Sequence, residues 1–238
     1  MKVEVVSNVE EVKWEDIKNK TVIVIDVLRA TSTIITALAC GAREVIPVET
    51  LGQARQYRGE QYLLAGERYS KRVSGFPYAN SPTEIQQAPL QGSTLVLTTT
   101  NGTRAIQKSL KADRVAIGSF LNGSACANWA IATQKDLPIL CSGTRGKFAL
   151  EDGMAAGYIL NQMKESTLDL RIDDFGEAMI AAYEQHKDRL PEVLQTTATG
   201  NRLVQNGYLD DILFCAERDR FRFVPIVQDN AIVIHFLN

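Results

Sequence analysis

The segment TVIVID at residues 21–26 is the strongest indication of the fold of this 238-residue chain. Its first five residues are all β-branched, which is typical of a strand with both faces buried. Both faces are buried where helices cover the two sides of a parallel sheet. The run therefore predicts a central strand of an α/β sheet, and it places Asp26 at the carboxyl end of that strand.

The segments around this strand continue the alternation of strand and helix. The pattern predicts helices at 33–39 and 51–57 and strands at 44–48, 61–65, 94–97, 114–117 and 137–141. Crossovers of this kind are nearly always parallel and right-handed. Residues 222–227 and 231–236 flank a turn at 228–230, which predicts a β-hairpin. We therefore expect a three-layer α/β/α fold with a mixed, largely parallel sheet and a C-terminal β-hairpin.

A single domain is expected over residues 1–238, because a chain of this length buries a sizeable core and no linker-like segment interrupts it. A weak echo between residues 97–104 and 140–145, each with Gly-Thr-Arg after a strand, leaves open two similar halves. If the terminal hairpin is an edge of the sheet, its strands are free to pair between subunits. That arrangement would give a homodimer.

Composition narrows the function. The formal net charge is −2, from 26 basic and 28 acidic residues, which argues against a general nucleic-acid binder. No apolar run approaches the ~20 residues that cross a bilayer, and the start MKVEV lacks the apolar core of a signal peptide. A cytoplasmic protein with no membrane partner is therefore expected. Only two histidines (His186 and His235) and four scattered cysteines are present, so acid–base or metal chemistry falls mainly to carboxylates.

Four of the predicted strands end in unusually polar loops. In open α/β sheets, ligands bind outside the carboxyl ends of the strands. The loops are DVLRATST (26–33), GER (66–68), TTTNGT (98–103) and SGTR (142–145), the last of which is followed by Glu151 and Asp152. If the strands are parallel neighbours, these loops converge on one rim.

Asp26 is the sharpest candidate for chemistry. A carboxylate directly after five β-branched residues is costly unless it is solvated, paired or bound to a cation. Asp26 is therefore predicted to be a metal ligand or a nucleophile, and the alternative is that it caps the next turn or pairs with Arg29. Glu67 and Asp152 are candidates for further oxygen ligands, with Glu151 as the alternative to Asp152; each could instead be an ordinary surface or capping acid. Mg²⁺ takes one or two carboxylates together with waters and phosphate oxygens.

Arginines also follow the strand ends, at Arg29, Arg104 and Arg145. Guanidinium groups bind phosphate, sulfonate and carboxylate groups bidentately, so three on one rim would suit a polyanionic substrate. The alternative is salt bridging to the rim acids. The Thr-rich and Gly-Thr turns add hydroxyl and main-chain N–H groups at helix N-termini, where anions bind.

Several familiar phosphate-binding patterns are absent from the sequence. There is no GxxxxGK[ST] loop and no GxGxxG fingerprint. In cysteine phosphatases the Arg stands farther from the Cys than Arg145 stands from Cys141. Haloacid-dehalogenase-type phosphatases have a second Asp where this chain has Leu28.

Five separated blocks of the sequence share one further property: together, and in this order, they resemble the 2-phosphosulfolactate phosphatase family. The blocks are DVLRATS (26–32), AGER (65–68), NSP (80–82), TTTNGT (98–103) and CSGTRG (141–146) with EDG (151–153). Residues 222–227 also resemble the family's C-terminal end. Two small departures are Ala79, where Gly is expected, and Ser142, where Ala is common.

The resemblance implies a Mg²⁺-dependent phosphatase with a layered α/β/α fold. The family hydrolyses (2R)-2-phospho-3-sulfolactate to 3-sulfolactate and phosphate, a step of coenzyme M biosynthesis. On this basis the expected metal ligands are Asp26, Glu67 and Asp152, and the expected catalytic residues are Asp26, Arg29, Arg145 and Asp152. The expected substrate-binding residues are Thr31, Ser32, Asn101, Gly102, Thr103, Gly143 and Thr144.

Two other functions stay open on the sequence. One is a phosphatase for another small phosphorylated hydroxy acid, which a substrate panel would separate. The other is a non-catalytic protein that binds an anionic metabolite. Asp26 argues against the second, because an acid that faces an anion needs a cation between them.

Overall fold

An eleven-stranded sheet with helices on both faces forms the described part of the chain, residues 1–167 and 169–235 of a computed structural model. The strands are β1 (Lys2–Val6), β2 (Thr21–Ile25), β3 (Glu44–Pro47), β4 (Tyr62–Arg68), β5 (Lys71–Arg72), β6 (Thr94–Thr98), β7 (Arg114–Gly118), β8 (Leu137–Cys141), β9 (Arg171–Ile172), β10 (Val224–Gln228) and β11 (Ala231–His235). The helices are α1 (Trp14–Ile17), α2 (Ala30–Ala39), α3 (Leu51–Ala54), α4 (Pro82–Ile85), α5 (Gly102–Ser109), α6 (Gly123–Thr133), α7 (Leu150–Ser166), α8 (Asp174–His186), α9 (Leu190–Thr196), α10 (Ala198–Gln205) and α11 (Leu209–Cys215), with 3₁₀ turns at Phe120–Asn122 and Lys187–Arg189.

Strand β2 shows why the fold has three layers. All five of its residues are buried. Val22 and Val24 belong to one core, with residues of α2 and α5. Ile23 and Ile25 belong to a second core, with residues of α6, α7 and α8. Successive side chains of a strand point to opposite faces, so both faces need a helical cover. The predicted α/β/α fold with a mixed, largely parallel sheet is confirmed.

The sheet contains two parallel blocks. Its strand order is β5-β4-β6-β3-β11-β10-β7-β2-β8-β1-β9. Strands β4, β6 and β3 are parallel to one another, and so are β7, β2, β8, β1 and β9. The condition for the four polar loops to converge was that their strands are parallel neighbours. It is met only within the pairs β4–β6 and β2–β8, because four other strands lie between β6 and β2.

The C-terminal hairpin is confirmed, but its expected place at an edge of the sheet is wrong. Strands β10 and β11 lie inside the sheet and join the two parallel blocks. The joins are short: Ile226 pairs with Ala116 of β7, and Ile232 pairs with Val45 of β3. In the described part of the chain the edge strands are β5 and β9. The hairpin therefore supplies no free edge for pairing between subunits. The homodimer stays a prediction, but the hairpin no longer supports it.

The hairpin also sets the relative direction of the two blocks. Its two strands are antiparallel to each other, and each is antiparallel to its outer neighbour. The strands of one parallel block therefore point in the opposite direction to the strands of the other block. In a flat sheet their carboxyl ends would lie at opposite edges. Gly102, which follows β6, nevertheless lies against Asp26, which follows β2. The sheet must therefore bend and twist strongly between the blocks.

Several element boundaries differ from the predicted ones. Strand β1 was not predicted, although Val3 and Val5 alternate with polar residues and are buried. Strand β4 continues through Glu67 instead of ending before it, and α2 begins at Ala30. Helix α3 is shorter than the predicted 51–57, and Phe236 of the predicted hairpin lies outside the described residues. None of the described helices is both long and apolar enough to cross a membrane. The single domain over residues 1–238, or its two similar halves, stays a prediction.

Candidate active site

A cleft at the carboxyl ends of β2, β4, β6 and β8 gathers loops from both parallel blocks. Its free volume, including the space open to solvent, is about 610 Å³. The charged residues that line it are Asp26, Glu67, Glu151, Asp152, Arg29, Arg145 and Arg202. The other lining residues are Leu28, Tyr69, Ser70, Asn80, Thr99, Thr100, Asn101, Gly143, Thr144 and Thr199.

Asp26 lies directly after β2, half-buried at the edge of the cleft. Its Oδ1 accepts a hydrogen bond of 3.3 Å from the main-chain N–H of Ala30. A Cβ at Gly102 would lie 2.3 Å from the Cβ of Ala30 and 2.5 Å from Oδ2 of Asp26, so only glycine allows this approach of α5. Burial, together with the negative charges of Glu67 and Glu151, raises the pKa of Asp26 to about 7.

Asp152, in the first turn of α7, connects the loop after β2 with the loop after β8 through hydrogen bonds. It is 2% exposed, and it accepts hydrogen bonds from the main-chain N–H groups of Val27 (2.9 Å) and Gly143 (3.1 Å). Burial, with the nearby charges of Asp26 and Glu151, raises the pKa of Asp152 well above its usual range. The N-terminal end of α7 favours an acid here through the helix dipole.

Glu67 fastens the loops of the other block. One of its oxygens accepts the main-chain N–H of Ser70 at 2.7 Å. The other accepts both the main-chain N–H and the hydroxyl of Thr100, each at 2.7 Å. Glu67 therefore holds the loop after β4 and the Thr-rich turn after β6 in fixed positions around the cleft.

The oxygen groups of the cleft fit a hard divalent cation. Glu151 is 2% exposed and accepts no hydrogen bond from the described residues. Asn80 is 3% exposed, and within residues 1–167 and 169–235 its Oδ1 has no partner. The buried Oδ1 of Asn80 is costly without a donor unless a cation or water serves it, and the oxygens of Glu151 face the same cleft. The described residues include no group of three His, Cys, Asp or Glu placed to hold a metal, but Mg²⁺ needs only one or two carboxylates.

Arg29 lines the cleft and forms a buried ion pair with Asp211. Its Nη1 lies 2.5 Å from Oδ2 of Asp211, with both side chains essentially inaccessible to solvent. The guanidinium carbon of Arg29 lies 4.0 Å from the ring centroid of Tyr208, and Nη2 donates to the carbonyl oxygen of Ser70 at 3.4 Å. Its charge is therefore already balanced by a carboxylate.

The other two arginines predicted from strand ends have different surroundings. Arg145 is exposed at the cleft and lies over the ring of Tyr69, at 6.0 Å from the centroid. In the described part of the chain it forms no salt bridge. Arg104 is outside the cleft lining and pairs with Glu10, with 3.0 Å between Nη2 and Oε2.

Comparison with known proteins identifies the family. The sequence model of the 2-phosphosulpholactate phosphatase family matches residues 6–230. The chain belongs to this family. It is 40% identical over 221 residues, 91% of each chain, to a probable 2-phosphosulfolactate phosphatase of Caldanaerobacter subterraneus subsp. tengcongensis. It is 38% identical to proteins of the same printed name from Symbiobacterium thermophilum (92% of this chain, 96% of the relative) and Thermotoga maritima (90% and 92%).

Within this phosphatase family member, the predicted binding turns contribute unequally to the cleft. Asn101, Gly143 and Thr144 line it. The other predicted substrate-binding residues are outside its lining and hold local structure: Thr31, Ser32, Gly102 and Thr103. Thr31 Oγ1 donates to the carbonyl oxygen of Asp26 at 2.9 Å, and Ser32 Oγ donates to that of Val27 at 2.9 Å.

Thr103 and Cys141 show two further local roles. Thr103 Oγ1 donates to the carbonyl oxygen of Thr99 at 3.1 Å, and its N–H donates to Thr99 Oγ1 at 3.0 Å, which closes the turn that leads into α5. Cys141 is fully buried at the end of β8, and burial raises the pKa of its thiol well above the usual value. It is therefore a protonated core residue and not a nucleophile.

Sequence reasoning missed several residues of the cleft: Tyr69, Asn80, Thr199 and Arg202. Asn80 belongs to the NSP block of the resemblance, so that block was a usable signal. Thr199 and Arg202 lie on α10, in a helical segment that follows no strand of the predicted parallel sheet. No local pattern marked them, because their contribution depends on how the helices pack over the strand ends.

Proposed function

We propose that this chain is a Mg²⁺-dependent phosphatase that hydrolyses 2-phospho-3-sulfolactate to 3-sulfolactate and phosphate. Family membership supports the reaction class. The observation that carries the proposal further is the composition of the cleft. Four acids line it together with Arg145, which forms no salt bridge within residues 1–167 and 169–235. A substrate with three anionic groups needs both a cation near the acids and fixed positive groups facing it.

Asp26 and Glu151 are the residues that would hold the cation. Both oxygens of Glu67 and of Asp152 already accept hydrogen bonds, whereas those of Glu151 accept none from the described residues. Glu67 and Asp152 fix the loops around the site. One oxygen of Glu67 and both oxygens of Asp152 each accept a single hydrogen bond, which leaves a lone pair for the metal contact predicted for these two acids. When bound, Mg²⁺ would polarise the phosphoryl oxygens and offset the charge that develops in the transition state.

The protein's own groups position the substrate. Asn101 lines the cleft directly before the N-terminus of α5, where the helix dipole favours an anion. Arg145 adds a guanidinium at the cleft mouth. Without a cation, burial and the charges of Glu67 and Glu151 raise the pKa of Asp26 to about 7, and a cation beside it would keep its carboxylate ionised. It acts either as the nucleophile or as the base toward water. Phosphoryl transfer depends mainly on such positioning and electrostatics.

Phosphate release from 2-phospho-3-sulfolactate tests the proposal, with Mg²⁺ and with EDTA, beside phospholactate and phosphoglycerate. We expect metal-dependent release that favours the sulfonated substrate. Asp26→Asn should retain less than about a tenth of the wild-type turnover, since general acid–base or nucleophilic groups contribute about 10²-fold or more. Glu10→Gln, which changes an acid outside the cleft, is the matched control and should retain wild-type turnover.

Each contrary outcome has its own meaning. Equal release from all three substrates would reject sulfolactate while keeping a phosphatase of small phosphorylated hydroxy acids. An Asp26→Asn protein with more than about a tenth of wild-type turnover would remove Asp26 from the reacting centre. Release that is unchanged in EDTA would reject the metal.

A further inference from the structure

Arg202 reaches the cleft from α10, in the helical segment that follows the parallel strands. It is half-buried, and it bridges loops of both parallel blocks. Its Nε donates to Ser70 Oγ at 2.9 Å, in the loop after β4, and its Nη2 donates to Thr144 Oγ1 at 3.3 Å, in the loop after β8. The guanidinium is therefore held in place by two hydroxyl groups.

These partners leave the charge of Arg202 uncompensated. Among the residues that the structure describes, no carboxylate lies within 4.0 Å of its guanidinium nitrogens, whereas Arg29 in the same cleft pairs with Asp211. Of its five N–H donors, two are used in the described contacts. A half-buried cation that neutral groups orient and no acid neutralises is prepared to bind an anion.

Neighbouring groups add to this positive end of the cleft. Arg145 follows Thr144 in the chain, lines the cleft and also lacks a salt bridge within residues 1–167 and 169–235. Thr199 is 5% exposed, lines the cleft, and precedes Arg202 by one helical turn on α10, so both lie on the same face of that helix. Thr199 lies in the first turn of the eight-residue helix, where the helix dipole favours negative charge.

We propose that Arg202, together with Arg145, binds the sulfonate of the substrate and thereby determines specificity; this rests on the proposed function. The phosphoryl group must react beside the acids and their cation, so an anionic group without a role in the reaction belongs near the uncompensated arginines. In 2-phospho-3-sulfolactate the carboxylate is bonded to the carbon that bears the phosphate, whereas the sulfonate is one carbon farther away. The sulfonate therefore reaches farthest from the reacting phosphorus, and its three oxygens suit donors from two guanidinium groups.

The test compares kcat/KM for three substrates in the wild type, Arg202→Gln and Arg202→Lys. The substrates are 2-phospho-3-sulfolactate, phospholactate (no sulfonate) and 2-phosphooxyethanesulfonate (no carboxylate). In Arg202→Gln we expect kcat/KM to fall about 10- to 100-fold for both sulfonated substrates and less than about threefold for phospholactate. Arg202→Lys should recover part of the loss, since it restores the charge but not the planar fork.

Arg104→Gln is the matched control, because it removes a guanidinium that pairs with Glu10 outside the cleft lining. It should change none of the three values. An equal loss on all three substrates in Arg202→Gln would assign Arg202 a structural role and overturn the proposal. A loss confined to the two carboxylated substrates would also overturn it, because Arg202 would then bind the carboxylate.

A binding measurement separates this proposal from the proposed function. Calorimetry with 3-sulfolactate and with lactate should show that the wild type prefers the sulfonated ligand and that Arg202→Gln loses the preference. If the wild type hydrolyses none of the three substrates but shows this pattern, the proposed function fails and the sulfonate site stands. If the wild type hydrolyses 2-phospho-3-sulfolactate and Arg202→Gln keeps the preference for the sulfonated ligand, the proposed function stands and the sulfonate site fails.

Discussion

At the scale of single residues, the electrostatics of Asp26 dominate the cleft. Asp26 is half-buried, and the charges of Glu67 and Glu151 are close enough to raise the pKa of its carboxyl group. The main chain at Gly102 lies directly against this carboxylate. A cluster of acids that repel one another is stable only where protons or a cation offset their negative charge. Proton and cation therefore compete for the same carboxylate.

The competition predicts how stability without metal depends on pH. Between the ordinary pKa of 3.8 and about 7, the folded protein keeps the proton of Asp26, whereas the unfolded chain has released it. The folded state then binds more protons, so the free energy of unfolding falls as the pH rises through this window. Above it, the ionised carboxylate is free to bind Mg²⁺.

We therefore expect Mg²⁺ to raise the thermal midpoint of unfolding more at about pH 8 than at about pH 5.5. Differential scanning fluorimetry at both pH values, with Mg²⁺ and with EDTA, measures the difference. In Asp26→Asn the Mg²⁺ effect should be small and nearly independent of pH. An equal effect of Mg²⁺ at both pH values in the wild type would contradict the prediction.

At the scale of elements, Asp211 joins α11 to the site. Besides the ion pair with Arg29, its Oδ1 accepts hydrogen bonds from Ser81 Oγ (2.8 Å), the main-chain N–H of Thr83 (3.1 Å) and Thr83 Oγ1 (2.6 Å). One buried carboxylate thus connects α11, the N-terminal end of α4 and the turn between β2 and α2. Through this carboxylate, α11 is bound to α4 and to the loop that carries Arg29.

Asp211→Asn should lower the free energy of unfolding by about 3–5 kcal/mol, because it leaves the charge of Arg29 buried without a partner. Urea denaturation measures the change. Glu10→Gln is the matched control: it breaks the exposed pair with Arg104, and solvent screening should make its effect on stability much smaller than that of Asp211→Asn. Similar losses in both variants would show that burial of the Arg29 pair has no special weight.

At the scale of the whole molecule, the C-terminal hairpin holds the two parallel blocks together. Ile232 is fully buried and pairs with Val45 at the join between β11 and β3, whereas the next residue, Val233, is half-buried. The last described strand is therefore an interior element, and the sheet is complete only when β10 and β11 lie between β7 and β3.

Ile232→Ala should lower the free energy of unfolding by about 2–5 kcal/mol through lost burial and the cavity it leaves. Val233→Ala, on the opposite face of the same strand, should cost about 1 kcal/mol or less. Urea denaturation of both variants tests this difference. Equal small effects would mean that the hairpin does not pack inside the sheet.

Much of this protein follows from local sequence. The β-branched run before Asp26 predicted a strand with both faces buried, because β-branched side chains pack well on the two faces of a buried strand. The acids and the polar turns after strands predicted a site at carboxyl ends. Strand β1 was missed although Lys2, Val3, Glu4 and Val5 alternate between polar and apolar, which is the pattern of a half-buried strand.

The packing of the folded chain sets where these parts meet. Sequence alone determined the layered fold, the hairpin and the residues that carry the acids of the cleft, since these depend on the order of apolar and polar residues along a few turns or strands. It could not determine that the hairpin lies between the two blocks, that Arg29 is paired with Asp211, or that Arg202 reaches the cleft. Those facts depend on contacts between residues far apart in the chain, which are set by packing and charge and leave no periodic mark in the local sequence.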